Sequence, residues 1–129
     1  MLFRSGDAAG YSDPNIAQGL SIAMRDVRIL SELLLGSEDW SPNALQPYTE
    51  ERTERMRRLR FCNAVATMLR GDFGPEGREQ RRRAQQFMRA EPALGLWRRA
   101  YLAGPESVPP SAFDASVYDR LCARSVGGG

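Results

Sequence analysis

The residues best suited to chemistry lie near the start of the chain. Gly6-Asp7-Ala8-Ala9-Gly10 is followed by Pro14 and then by Gln18-Gly19-Leu20. A glycine directly before an aspartate lets a ligand come close to the backbone. The Asp7 carboxylate can accept hydrogen bonds from the hydroxyls of a polyol. A helix starting near Ile16 would present backbone N–H groups and the positive end of its dipole, which stabilise an anion without an ionisable side chain. Pro14 and Gly19 would shape the approach to that helix end. Taken alone, Gly6-Asp7 reads first as a plain turn, with Asp7 or Asn15 as a cap.

Composition narrows the chemistry further. The 129 residues include no histidine, which excludes Ser-His-Asp triads and most zinc sites. Any reaction must therefore draw on a cofactor or on groups outside the chain. Cys62 and Cys122 have no metal-type spacing and read as buried free thiols. All 18 basic residues are arginine. Eleven of them fall between Arg52 and Arg89, against Glu54, Asp72, Glu76 and Glu79, so that stretch carries about +7 and the remainder about −5. Interleaved Glu and Arg without base-stacking aromatics mark a solvated helix face, so nucleic acid is not an expected partner. Gly71-x-x-Gly74-x-x-Gly77 follows a helical stretch rather than a strand, so it is not a dinucleotide-binding turn. Apolar runs such as Leu33 to Leu35 are far too short to span a bilayer. Met1 to Ser5 lacks the apolar core of a signal peptide, so a cytoplasmic location and no membrane partner are expected.

The string from Gly6 to Asp26 resembles the second FAD-binding motif of the para-hydroxybenzoate-hydroxylase-like, group A flavoprotein monooxygenases. That pattern runs GDAAH, a short loop, a proline and then GQGxNxAxxDAxxL. GDAA, Pro14, the Gln18-Gly19 pair and the Ala23-x-x-Asp26 spacing match it. Trp40, the Leu45-x-x-Tyr48 step, Arg52 and Arg55 fit the family's usual continuation. Gly10 stands where many relatives have histidine, and Ala17 where many have glycine.

The resemblance implies the C-terminal part of an FAD-dependent oxidoreductase. Such an enzyme hydroxylates an aromatic or similar substrate with NAD(P)H and O2. It further implies Gly6, Asp7, Pro14, Gln18, Gly19 and Leu20 as flavin neighbours, with Asp7 toward the ribityl chain. The helix N-terminus would face the pyrimidine edge of the isoalloxazine. None of these residues would be a catalytic acid or base. The GxGxxG turn for the pyrophosphate and the N-terminal flavin-binding region would lie outside this sequence. The chain alone is therefore expected to be inactive and to bind FAD weakly at best. The alternative is a stand-alone helical protein-interaction domain without catalysis. An exposed Leu94, Trp97 and Tyr101 patch and a stable homodimer would mark it.

The elements that would position these residues follow from periodicity and turn formers. Leu2-Phe3 reads as the end of a strand, which needs a neighbour for its backbone groups. A helix is predicted from Ile16 or Ala17 to Leu35, with Ile16, Leu20, Ala23, Met24, Val27, Leu30 and Leu34 as its buried face and Gly36 as its stop. Ser41 and Pro42 would open the next helix, which Pro47 kinks or divides. Its long part would run to about Arg70, burying Tyr48, Met56, Leu59, Cys62, Ala66 and Leu69. Glu51 with Arg55, and Glu54 with Arg58, are spaced as i, i+4 ion pairs.

After a turn at Gly71–Gly74, helices are predicted from Pro75 to about Ala90, from Pro92 to about Ala103 and from Pro109-Pro110 to about Arg124. Leu94, Trp97 and Tyr101 should be core in the second of these. The expected class is mainly α: four to five helices after one short strand remnant, the C-terminal segment of an α/β flavin-binding fold. The FAD motif and its helix would occupy 1–36, a helical segment 37–126, and a disordered tail 127–129.

Overall fold

A computed structural model describes residues 4–10 and 14–122, and of Asp7 the backbone alone. The expected strand remnant at Leu2-Phe3, the last turn toward Arg124 and the tail 127–129 lie outside the described residues. Within them the chain is mainly helical and has no strand. Five α-helices follow one another: α1 Gly19–Leu35, α2 Gln46–Gly71, α3 Pro75–Ala90, α4 Trp97–Ala103 and α5 Ala115–Cys122. Short 3-10 turns over Gly6–Ala9, Pro14–Ile16, Pro92–Gly95, Pro105–Ser107 and Pro110–Phe113 link or precede them.

Proline sets most of the starts. Pro75 occupies the first turn of α3, where its missing N–H has no helical partner to lose. Pro47 sits in the first turn of α2 for the same reason, so it neither kinks nor divides that helix. Ser41 caps only a single turn, its Oγ accepting the Ala44 N–H at 3.3 Å, and α2 proper begins at Gln46. The stretch after Pro92 is not one helix: a 3-10 turn over Pro92–Gly95 precedes α4. The segment after Pro110 likewise forms a 3-10 turn before α5.

The chain forms two compact units, residues 1–57 and 58–129, whose boundary falls within α2. In the first, Ile16, Ile22, Leu45, Tyr48 and Met56 are buried, together with three charged residues, Asp26, Arg52 and Arg55. The predicted apolar face of α1 is not its buried face. Leu20, Met24 and Val27 are 76%, 64% and 60% exposed, and Leu34 and Leu35 are also exposed. The inward stripe instead runs through Ile22 and Asp26, on another side of the helix, where Asp26 meets Arg52 and Arg55. At the C-terminal end of α1, the Trp40 indole Nε1–H donates to the carbonyls of Leu34 (3.3 Å) and Ser37 (3.0 Å). That satisfies an acceptor which the end of a helix leaves open.

The second unit has an aliphatic and aromatic core, including Leu59, Cys62, Val65, Ala66, Leu69, Leu94, Trp97, Phe113 and Leu121. The predicted inner face of α2 is buried from Tyr48 to Leu69 as expected. Leu94 and Trp97 are core and Tyr101 is half-buried, so this stripe offers no exposed patch. Phe61 meets Phe113 edge to face at 5.9 Å and 85°. Arg58 of α2 reaches the segment 105–113. Its guanidinium lies 5.3 Å from the centre of the Phe113 ring and donates to the carbonyls of Pro105 (3.1 Å) and Val108 (3.4 Å). Glu54 bonds Arg57, three residues later, at 2.7 Å.

Candidate functional site

The Gly6–Ala9 turn is held by long-range hydrogen bonds rather than by its own sequence. Gly6 takes φ 56°, a left-handed conformation that costs glycine little. Its N–H donates to Asp26 Oδ2 at 2.9 Å, and its carbonyl accepts from Arg52 Nη2 at 2.8 Å. Arg52 Nη1 reaches the Ala9 carbonyl at 3.4 Å, so one guanidinium grips both ends of the turn.

Asp26 is the centre of the arrangement. It is fully buried on α1 and accepts from Arg52 Nε at 2.9 Å and from Arg55 Nη2 at 2.5 Å. Arg55 also donates to the Ile22 carbonyl at 3.3 Å and to Glu51 Oε2 at 3.2 Å, and Glu51 in turn accepts from Arg25 Nε at 2.9 Å. Burial pushes the Asp26 carboxyl up, but hydrogen bonds from Arg52, Arg55 and the Gly6 N–H outweigh it and hold the group below its ordinary 3.8. Burial, and next the charge of Asp26, push the neighbouring Tyr48 phenol up. A carboxylate with both oxygens engaged and no solvent access does not serve as an acid or base. The network positions backbone.

The predicted site residues fall in two places. Gly6 and Asp7 lie in the clamped turn. Pro14 opens the next turn, where its carbonyl accepts the Ala17 N–H at 2.7 Å. Gln18 is the N-cap of α1, Gly19 its first residue and Leu20 the exposed second. Asp26 is seven positions after Gly19, so the helix start lies about 10 Å along the axis from the clamp. The side chain of Asp7 and the whole of Tyr11–Asp13 lie outside the described residues.

Backbone space at the site suits a close ligand. A Cβ added at Gly6 or at Gly19 would meet nothing within 4 Å. Ala17 takes φ 53°, a conformation that L-residues adopt at a cost and glycine adopts freely. Gly10 takes φ 149°, which a side-chain-bearing residue such as histidine rarely adopts. Among the described residues no cluster of His, Cys, Asp or Glu could hold a metal ion.

Asp26, Arg52 and Arg55 were not singled out as site residues by spacing, yet they fix the turn. Two signals could have found them. Asp26 stands four residues after Ile22 on one helical face, and Arg52 and Arg55 share the face of Tyr48, Met56 and Leu59. Charges on an apolar stripe require partners.

Comparison with known proteins gives no relative: no family model, no curated protein and no solved structure matches the chain. What the described residues define is a mainly helical fold with a Gly6–Ala9 turn clamped to Asp26 of α1 and to Arg52 of α2. No helix of the described residues is long and apolar enough to cross a membrane.

Proposed function

We propose that this chain is the C-terminal part of an FAD-dependent, group A-like monooxygenase acting on an aromatic or similar substrate, and that residues 6–20 form the ribityl and isoalloxazine side of its flavin site. The supporting observation is the Asp26–Arg52–Arg55 network. The residues that carry the family resemblance are far apart in sequence, and this network joins GDAA, the Ala23-x-x-Asp26 step and the two later arginines. The conformation of Ala17 adds to it, since φ 53° suits the glycine that the family pattern has there.

The residues present fit that end of a flavin. Gly6 and Gly19 leave open backbone, and the start of α1 offers N–H groups and a positive dipole end toward an anionic ring edge. In this reading FAD, reduced by NAD(P)H, supplies the oxygen-activating chemistry. Arg52 and Asp26 keep the turn in place, Gly6 and Gly19 let the ring system approach, and Leu20 gives it an apolar neighbour. The pyrophosphate and adenine contacts would come from sequence beyond these 129 residues.

The test is the complete reading frame. A frame that continues upstream into a strand–GxGxxG–helix unit should yield a product that purifies with bound FAD and consumes NAD(P)H and O2 with an aromatic substrate. A product without flavin would overturn the reading. A second reading, a helical interaction domain without catalysis, draws on the exposed Leu20, Met24, Val27, Leu34 and Leu35 of α1. Under it the same product would lack flavin and instead self-associate or capture a protein through α1.

A further inference from the structure

The second unit holds an electropositive cavity that the flavin reading does not use. Leu69 and Arg70 at the end of α2, Arg81, Gln85 and Met88 of α3, and Trp97 and Arg98 of α4 enclose about 180 Å³. Arg81, Gln85 and Met88 recur at i, i+4 and i+7, so one face of α3 forms a wall. Three arginines line the cavity and no carboxylate does.

Two ion pairs of this unit lie outside the cavity-lining arginines. Arg82 bonds Glu79 at 2.7 Å, and Arg120 bonds Glu91 at 2.7 Å. Among the described residues, Arg70, Arg81 and Arg98 have no such carboxylate. Arg81 Nη1 donates to the carbonyls of Leu69 and Asp72, and Arg98 lies over the Trp97 ring, 5.5 Å from its centre. Arg70, at the end of α2, is exposed. The indole of Trp97 is 1% exposed, and its Nε1–H has no acceptor among the described residues. Like charges gathered in a concavity with apolar walls raise the local positive potential, and an anion relieves it.

We propose that this cavity binds a small oxyanion, a phosphate or carboxylate group on a short organic stem. Guanidinium groups match the planar oxygen pairs of both, and Leu69, Met88 and Trp97 offer an apolar wall to the stem. At about 180 Å³ the cavity is smaller than the roughly 300 Å³ at which drug-sized sites begin, so it takes a headgroup and a few further atoms.

The test uses the full chain labelled with 15N and titrated separately with inorganic phosphate and with benzoate at matched ionic strength. The two indole signals, from Trp40 and Trp97, are assigned with Trp40→Phe. The Trp97 signal should shift saturably and the Trp40 signal should not. Arg70→Gln and Arg98→Gln should each weaken binding by about 10-fold or more, as loss of a charge-assisted hydrogen bond does. Both side chains are exposed, so far-UV circular dichroism and the melting midpoint should not change. Tighter phosphate would assign a phosphate ester, and tighter benzoate an organic acid. Failure of both probes to shift Trp97 saturably, or binding to the folded variants equal to wild type, overturns the proposal. Neither outcome depends on flavin binding.

Discussion

Removing the carboxylate of Asp26 should destabilise the first unit more than any other single polar change in it. In Asp26→Ala, the guanidinium groups of Arg52 and Arg55 lose their shared counter-charge while remaining 7% and 4% exposed. The Gly6 N–H loses its acceptor as well. Breaking a buried ion pair from one side costs about 3–5 kcal/mol, because a remaining charge, here that of Arg52, is buried without its carboxylate. Set against a total stability of roughly 5–15 kcal/mol, that is a large fraction.

The midpoint of thermal unfolding should fall by roughly 10–20 °C for a chain of this size. Circular dichroism melts would measure the shift, and amide hydrogen exchange would show loss of protection at Gly6. The triple change Asp26→Leu, Arg52→Met, Arg55→Met should regain much of the stability, since it removes the charges as well as their pairing. It should not restore the protection at Gly6, which needs the Asp26 acceptor. An Asp26→Ala protein within about 0.5 kcal/mol of wild type would refute the assigned role of this network.

The acid limit of stability should carry the same signature. Asp26 has a folded pKa below its ordinary 3.8, so its contribution is complete above that value and fades as the pH falls through the folded value. The gap in urea midpoint between wild type and Asp26→Asn should be constant well above pH 3.8 and narrow below it, and a gap that already changes near neutral pH contradicts this. Burial pushes the Cys62 thiol up to about 12 and the Cys122 thiol up to about 11. Both should resist a thiol reagent in the folded protein and react once urea unfolds it; rapid stoichiometric labelling of native Cys62 would show that its burial is wrong. Ala17→Gly should relieve about 1–2 kcal/mol of left-handed strain, less about 0.4–1 kcal/mol for the added freedom of the unfolded chain. The variant should therefore be as stable as wild type or slightly more so in urea, and a loss above about 1 kcal/mol would contradict the φ of Ala17.

Much of the helical order is local and therefore legible in the sequence. Pro75 and Ala90 bound α3 because proline is favoured at a helix start, and Pro92 cannot continue the helix before it. The buried face of α2 from Tyr48 to Leu69 follows from its 3.6-residue period, since a long helix with one apolar stripe has one way to face a core. The same rule fails on α1. Leu20, Met24 and Val27 are spaced as a core face yet are exposed, while Ile22 and Asp26 are buried. Periodicity reports which residues share a face, but not whether anything covers it.

Asp26 faces inward because Arg52 and Arg55, 26 and 29 residues later, supply the charge and hydrogen bonds that make its burial tolerable. That pairing is a property of tertiary proximity. No local propensity encodes it, which is why the clamp on Gly6 was not legible as a unit although every residue in it was visible. The GDAA string, the absence of histidine and the excess of arginine over residues 52–89 are matters of sequence alone. Only the folded chain decided that one of those arginines holds the turn, that another shares its carboxylate, and that two more gather with Arg98 around a cavity beside Trp97.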